Sequence, residues 1–293
     1  SILMFRGAML ASKLTEFILS GSDFRIVHNV KALGPEASAS EKLFVEESTE
    51  RICILDSSFN PPHLGHMQLA RDSLAQVYRK DEKDENKVLL LLLSVKNADK
   101  INPQPASFRE RLDMMCLMAN HMYDTYNINV SVGLTKHAKF VDKSSCVRRY
   151  IKEKDLLLSK ALDHLNLTFL VGFDTLIRIF NPKYYLPFKV SQALAEFMKT
   201  TDIFCLSRSD EDNSFSEQAK YVMDIEKGNH EDIPADWASR IFFELKDKDE
   251  TSTISSSSVR KDAKINGQDW EKSVIPEIVT YIKEHTPYSD NRG

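Results

Sequence analysis

Two histidines, His63 and His66, lie three residues apart in the segment SFNPPHLGH, where a strand pattern gives way to a helix pattern. Two prolines constrain this segment, and Gly65 lets the backbone approach a ligand closely. The N-terminus of a helix presents free N–H groups and partial positive charge, so it suits phosphate. Imidazoles there can donate to a phosphate as its charge grows in a transition state. Two histidines this close also occur by chance in ordinary packed positions, but the strand, prolines, glycine and helix together favour an anion site.

A second set of phosphate-binding residue types lies nearly two hundred residues later, in the segment TISSSSVRK. Serine hydroxyls and free N–H groups at a helix start can bind phosphate oxygens. Arg260, one turn into the predicted helix over residues 259–265, can donate two parallel hydrogen bonds to the same oxygens. The alternative interpretation is a serine-rich linker that only caps a helix.

Further candidates follow predicted strands at their carboxyl ends. Lys100, or failing it Lys96, could neutralise the phosphate of a second substrate as a point charge, although a solvated loop lysine is the alternative. Gly172 and Asp174 follow another strand, and a carboxylate there can accept hydrogen bonds from ribose hydroxyls. The alternative for Asp174 is that it only caps the next helix.

These residues need a scaffold that brings strand ends together. Apolar runs at residues 51–56 and 88–93 alternate with helical patterns such as that over residues 65–79. A continuous apolar strand must be covered on both faces, which is typical of a parallel sheet flanked by helices. The charge run at 81–87 predicts a solvated turn, and Ser107 has a glutamate three residues on, the spacing of a capping box. The alternation predicts a doubly wound α/β sheet, whose ligands bind at the carboxyl ends of the strands.

Composition excludes several classes of protein. The chain has 293 residues, with 39 Lys and Arg against 43 Asp and Glu, a formal net charge of −4. That balance argues against a nucleic-acid-binding protein. The longest apolar run has six residues, whereas a membrane span needs about 20. Four scattered cysteines without a C-x-x-C pair predict reduced thiols. With no signal-peptide pattern, we expect a cytoplasmic protein, with the nucleus as an alternative.

The histidine segment resembles the H-x-G-H signature of the nucleotidylyltransferase superfamily, in the S-F-N-P-x-H-x-G-H form of the nicotinamide mononucleotide adenylyltransferases. The segments LDSSFNPPH, NADK and LVGFDT are similar to those of the fungal promoter-of-filamentation proteins, and the likeness extends from about residue 51 to 284. The serine segment resembles I-S-S-T-x-x-R, with Ser257 where threonine is usual. The resemblance implies a Rossmann-like nucleotidylyltransferase fold. It also implies transfer of AMP from ATP, accompanied by Mg²⁺, to the 5′-phosphate of nicotinamide or nicotinic acid mononucleotide, with release of pyrophosphate.

The resemblance assigns roles residue by residue. It implies that His63 and His66 are catalytic and hold the ATP α-phosphate. It implies that ATP binds to Ser57, Ser58, Phe59, His63, His66, Arg208, Ser255, Ser256 and Arg260. It implies that the mononucleotide binds to Lys100, Gly172 and Asp174. No protein residue is expected to ligate a metal directly.

The chain departs from the family pattern at two places. Ser57 stands where glycine is usual, and residues 136–143 lack the tryptophan on which related enzymes stack the pyridine ring, although Phe140 could substitute. Adenylyl transfer to a flavin or pantetheine phosphate, ATP hydrolysis and a nucleotide-sensing protein that retains the fold are therefore alternatives.

We expect residues 1–50 to form an N-terminal extension packed on the core and residues 51–293 to form the nucleotidylyltransferase domain. The sequence does not indicate an oligomeric state.

Overall fold

A seven-stranded sheet forms the centre of the computed structural model, which describes residues 2–30, 42–96, 106–208, 213–246 and 253–289. The strands are β1 (Phe24–Val30), β2 (Arg51–Asp56), β3 (Lys87–Ser94), β4 (Val130–Thr135), β5 (Asn166–Gly172), β6 (Thr201–Leu206) and β7 (Ile241–Glu244). The α-helices are α1 (Ile2–Leu19), α2 (Leu64–Ala75), α3 (Phe108–Tyr126), α4 (Phe140–Glu153), α5 (Ser159–His164), α6 (Phe173–Ile179), α7 (Val190–Ala193), α8 (Ala195–Thr200), α9 (Phe215–Glu226), α10 (Ser256–Lys264) and α11 (Pro276–His285). Short 3₁₀ turns occupy Asp84–Asn86, Pro182–Tyr184, Ala235–Arg240 and Asp269–Ser273.

The strand order is β1-β4-β3-β2-β5-β6-β7. Strands β2 to β7 pair in parallel, which confirms the predicted doubly wound α/β fold. The edge strand β1 differs, because it pairs with β4 in the antiparallel direction. It precedes the first strand–helix–strand unit, so no helical crossover fixes its direction. The division of the chain at residue 50 stays a prediction.

Alternate side chains of the central strand enter two separate apolar layers. Cys53 and Leu55 pack with residues of α1, α2, α3, α10 and α11, whereas Ile52 and Ile54 pack with residues of α4, α6, α7, α8 and α9. The period of two in a strand produces this division. Both faces of the sheet are therefore covered, as the unbroken apolar run of β3 predicted.

Local sequence patterns predicted the ends of several helices and strands to within four residues. Strand β2 begins and ends where the sequence predicted, and the capping box of α3 is present, with Glu110 N–H donating to Ser107 Oγ at 3.2 Å. Helix α10 begins at residue 256, three residues before the predicted start, because Ser255 caps it. Helix α2 ends at residue 75, four residues before the predicted end.

The charge run at residues 81–87 is exposed at four of its seven positions, as a solvated turn requires, but Glu82 and Lys87 depart from that prediction. The Glu82 side chain is only 4% exposed, and its two carboxylate oxygens accept from Nε and Nη2 of Arg51 at 2.7 and 2.9 Å. Lys87 is also buried and donates to the carbonyls of Leu74 and Gln76. Arg51 carries a charge within the sheet, and a buried charge requires a partner of opposite sign.

The four cysteines are free and buried, which confirms the prediction of reduced thiols. Burial raises the pKa of Cys53 and of Cys146 to about 11, so both thiols stay protonated at neutral pH. Among the helices that the structure describes, none has both the length and the apolar character that crossing a membrane requires.

Candidate active site

A cleft opens at the carboxyl ends of β2, β5 and β6. The chain runs outward from β2 through β3 and β4 on one side and through β5, β6 and β7 on the other. Open α/β sheets bind ligands at such a reversal of strand order. Six of the predicted site residues line this cleft: Ser57, His63, His66, Gly172, Asp174 and Arg208. The structure therefore brings the histidine segment together with residues more than one hundred positions later.

The two histidines cap helix α2 together. His63 Nδ1 accepts from the N–H of Gly65, and His66 Nδ1 accepts from the N–H of His63, both at 3.0 Å. Because each Nδ1 is an acceptor, the neutral rings carry their protons on Nε2. His66 Nε2 lies 3.0 Å from Ser57 Oγ, to which it can donate. The ring centroids are 3.9 Å apart, so the pair forms one compact group.

Both imidazoles are neutral at physiological pH in the free protein. Burial lowers the pKa of His63 well below its ordinary value, and the neighbouring His66 and Arg208 lower it further. Burial, with the charge of Arg208, lowers the pKa of His66 to about 3. A neutral imidazole still donates through Nε2–H, and an anion placed beside it would favour the charged form.

The serine segment reaches the histidine segment from the other end of the chain. Ser255 caps α10, its Oγ accepting from the N–H of Ser258 at 3.1 Å. Ser256 Oγ donates to the carbonyl of Pro61 at 3.0 Å, and Arg260 Nη1 donates to the carbonyl of Asn60 at 2.7 Å. The beginnings of α2 and α10 therefore meet at one loop, as the predicted two-ended phosphate site requires.

Gly172 and Arg208 lie side by side in the cleft lining, at the carboxyl ends of the paired strands β5 and β6. A Cβ on Gly172 would lie 3.3 Å from Arg208 Cδ and 3.1 Å from Asp174 Oδ1, so glycine allows the close approach. Gln218, which is fully buried, fixes the backbone of Arg208 by accepting from its N–H at 3.1 Å and donating to its carbonyl at 2.6 Å. Asp174 makes no capping hydrogen bond, since Gly172 is the N-cap of α6. The capping alternative for Asp174 is therefore wrong.

Some predicted residues do not line the cleft. The side chain of Phe59 is fully buried, which leaves its main-chain N–H as the group that could meet a ligand. Ser58 is exposed beside it. Lys100 lies outside the described residues. Phe140 begins α4 and packs its ring against Phe169 at 5.2 Å between centroids, away from the cleft lining.

Sequence reasoning missed three charged residues. Asp56 and Lys246 line the cleft. Asp56 ends β2 and Lys246 lies two residues after the end of β7, and these positions at the carboxyl ends of strands could have identified both residues. Asp56 Oδ2 accepts from Lys143 Nζ at 2.5 Å, and burial raises the pKa of Asp56 although the ammonium opposes the shift. Arg111 donates to the carbonyl of Ser58 at 3.2 Å from helix α3. The sequence feature that could have identified Arg111 is a charged residue on the helical face that carries the buried methionines.

One cluster of side chains that could ligate a metal lies away from the cleft, within the described residues. Within the described ranges, the three potential ligands whose donor atoms lie within 4.8 Å of one another are Asp23, His137 and Cys146, and none of them lines the cleft. Arg149 already donates to Asp23, and its charge opposes a cation there. A divalent ion at the cleft would therefore depend mainly on substrate oxygens, which is usual for Mg²⁺.

Known proteins resemble this chain in sequence and in fold. A family model described as cytidylyltransferase-like matches residues 54–262. A protein of Schizosaccharomyces pombe that is named, provisionally, a nicotinamide mononucleotide adenylyltransferase is 34% identical over 245 residues, which are 83% of this chain and 88% of the relative. Two structures of Plasmodium falciparum nicotinic acid mononucleotide adenylyltransferase, complexed with NaAD and with APC, have TM-scores of 0.51. They are 17% and 14% identical and cover 82% of this chain and 97% of theirs, so they support the fold alone.

The matched region runs from β2 to α10 and includes the histidine pair, Arg208 and Arg260. The family resemblance inferred from the histidine and serine motifs is thereby confirmed. The chain belongs to the cytidylyltransferase-like family of nucleotidyltransferases, in the branch of the nicotinamide mononucleotide adenylyltransferases.

Proposed function

We propose that this protein transfers AMP from ATP to the 5′-phosphate of nicotinamide or nicotinic acid mononucleotide and so forms a pyridine dinucleotide. An oxygen of the acceptor phosphate attacks the α-phosphorus of ATP. The bond from the α-phosphorus to the bridging oxygen breaks, and pyrophosphate leaves with the electron pair. No protein nucleophile is required, so catalysis depends on positioning and on charge neutralisation.

The histidine pair would act on the α-phosphate. Nε2–H of His63 and of His66 are donors at the start of α2, where the helix also contributes partial positive charge. A pentacoordinate α-phosphorus carries more negative charge on its oxygens than ATP does. Donors fixed in place before reaction stabilise that charge without reorganisation.

The start of α10 would bind the leaving pyrophosphate. Ser255, Ser256 and Arg260 lie beside the same loop as the histidines, and Arg260 makes no ion pair with a carboxylate of the described residues. A guanidinium that donates only to a carbonyl can also donate to phosphate oxygens through its other N–H groups.

The remaining assignments concern the nucleosides and the acceptor. Gly172 would allow close approach of a nucleotide at the cleft wall, with Asp174 accepting from ribose hydroxyls and Arg208 beside the adenine. Lys100 would neutralise the acceptor phosphate. Mg²⁺ would enter with ATP as part of the substrate, coordinated mainly by phosphate oxygens and water. The buried thiols support action in a reducing compartment, the cytoplasm or the nucleus.

One observation carries the proposal: the starts of α2 and α10 contact the same loop at the edge of the cleft. The test is to incubate the protein with ATP, Mg²⁺ and one acceptor at a time, and to measure dinucleotide and pyrophosphate. The acceptors are nicotinamide mononucleotide, nicotinic acid mononucleotide, flavin mononucleotide and phosphopantetheine. We expect equal amounts of dinucleotide and pyrophosphate with a pyridine mononucleotide. If product forms only with flavin mononucleotide or phosphopantetheine, the proposed acceptor is wrong. If ATP is cleaved without any acceptor, the protein is an ATP hydrolase and the proposed transfer reaction is wrong.

A further inference from the structure

Side chains from distant parts of the chain hold three carbonyls of the loop between β2 and α2. Arg111 donates to the carbonyl of Ser58, Arg260 to that of Asn60, and Ser256 to that of Pro61. In addition, Tyr288 Oη donates to Asn60 Oδ1 at 2.9 Å. All these donors approach the loop from outside the histidine segment.

The bond from Arg111 fixes the orientation of one peptide group. The peptide between Ser58 and Phe59 is trans, so its carbonyl and its N–H point in opposite directions. With the carbonyl held by Arg111, the N–H of Phe59 points to Ser57 Oγ at 3.4 Å. That hydroxyl lines the cleft and lies 3.0 Å from His66 Nε2. The bond to Ser57 is long, so a phosphate oxygen can replace it as the acceptor.

The backbone at Phe59 does not hold this orientation unaided. Its φ of 46° lies in the left-handed region, which costs a residue other than glycine about 1–2 kcal/mol. The fully buried ring fixes the residue from the core side. The guanidinium of Arg111 fixes the peptide that precedes it.

Arg111 is a buried cation without a carboxylate partner among the described residues. It is 5% exposed, and its Nε is buried without a hydrogen-bond partner. The guanidinium carbon lies 4.3 Å from the centroid of the Phe108 ring, but no carboxylate of the described residues forms an ion pair with Arg111. A ring contact offsets part of the cost of burying this charge, and an anion that reached the guanidinium would offset more of it. The loop beside it is the segment to which a triphosphate would bind.

We propose that Arg111 is a positioning residue for adenylyl transfer: it holds the Ser58–Phe59 peptide so that the Phe59 N–H donates to a phosphate oxygen. The inference rests on the proposed function and extends it to a residue outside the sequence motifs. Loss of Arg111 would let the peptide rotate and would remove that donor from the reacting phosphate. Removal of one such donor typically lowers kcat by about 10²-fold.

The variants Arg111→Met and Arg111→Lys test this step. We expect kcat to fall by about 10²-fold in Arg111→Met, with the KM for the mononucleotide close to that of the wild type. Arg111→Lys should be impaired as well, because an ammonium lacks the reach and the planar donors of a guanidinium. Guanidinium chloride, added below denaturing concentrations, should restore part of the activity of Arg111→Met, whereas methylammonium chloride should not. A normal kcat in the folded Arg111→Met enzyme would overturn the proposal.

Arg148 provides a matched control. Like Arg111, it has a buried Nε without a partner. It donates to the carbonyls of Leu165 and Thr200, which directly precede β5 and β6 and so lie at the end of these strands away from the cleft. Arg148→Met should lose stability and keep the kcat of the wild type. A drop in kcat equal to that of Arg111→Met would show a general effect of instability and would contradict the positioning role.

A second measurement needs no folded Arg111 variant. In wild-type protein labelled with ¹⁵N-phenylalanine, the amide proton of Phe59 should shift downfield when ATP and Mg²⁺ are added, as expected for a new hydrogen bond to phosphate. An unchanged Phe59 resonance under saturating ATP would overturn the proposal. Dinucleotide formation by the same wild-type sample tests the proposed function separately, so the two failures are distinguishable.

Discussion

The guanidinium of Arg260 donates to the carbonyl of Asn60 across 200 residues of sequence, with Nη1 2.7 Å from the oxygen. Through this bond the helix that would bind pyrophosphate is attached to the loop that leads to the histidines. Arg260 is therefore within reach of the loop before any substrate binds. A ligand that bridges the two segments would meet donors already assembled, which lowers the cost of ordering them.

Arg260→Gln should lower kcat/KM for ATP by about 10- to 100-fold, the effect of losing one charge-assisted hydrogen bond. Glutamine keeps a donor but loses the positive charge and the forked geometry. Steady-state kinetics with varied ATP would measure the change. Lys261→Gln is the control, because the neighbouring lysine is exposed. Equal effects of the two substitutions would contradict a specific role for Arg260.

His66→Ala should reduce kcat by about 10²-fold or more, because a donor to the α-phosphate is lost. Single-turnover measurements with saturating substrates would separate this effect from binding. His164→Ala is the control, since His164 is exposed and bonds only within its own helix. Near-normal turnover in His66→Ala would show that the imidazole of His66 does not stabilise the transition state.

Stability of the free enzyme should fall as the pH drops below about 6.5. The folded-state pKa of His66 is about 3 and that of His63 is also lowered, so the unfolded chain binds more protons in this range. Protonation therefore favours unfolding, by at most about 1.4 kcal/mol per pH unit for each histidine. Urea denaturation at a series of pH values would measure the slope, and His66→Gln should reduce it. An identical slope in His66→Gln would show that other groups cause the dependence.

Arg51→Met should lower the free energy of unfolding by about 3–5 kcal/mol, because Glu82 loses its partner and Asp202 loses one of two. These residues lie at the amino ends of β2 and β6, so kcat of the folded enzyme should not change. Urea denaturation and a rate per folded molecule would measure both. Arg25→Met removes a more exposed pair and should cost under about 1 kcal/mol. Comparable losses from the two variants would contradict the buried network.

Gly172→Ala should raise the KM for substrates severalfold while leaving stability nearly unchanged. The φ of −80° suits alanine, so the backbone is not strained, but the added Cβ meets Asp174 and Arg208. Kinetics with each substrate varied in turn would measure the effect. At Gly21 an added Cβ has open space, so Gly21→Ala should change neither property. A large loss of stability in Gly172→Ala would point to packing as the reason for glycine.

The sequence predicted those features that depend on local pattern. The apolar run of β2 and the Ser107–Glu110 spacing each fixed an element boundary, and the histidine and serine motifs gave the residues at both ends of the loop. It did not predict contacts that only the tertiary structure creates. Arg51 donates to Glu82 and Asp202 because the pairing of the strands brings them together. Arg111 donates to the carbonyl of Ser58 because α3 packs against the sheet. No local spacing encodes such pairs.

Tyr288, which holds Asn60, lies at the far end of the described chain, yet the loop that it steadies is near the beginning. On the ribosome, a chain that has emerged only as far as β7 already contains both histidines but none of the C-terminal groups that fix their loop. Catalytic competence would therefore arise late and abruptly during synthesis. Incomplete chains would therefore not catalyse the reaction.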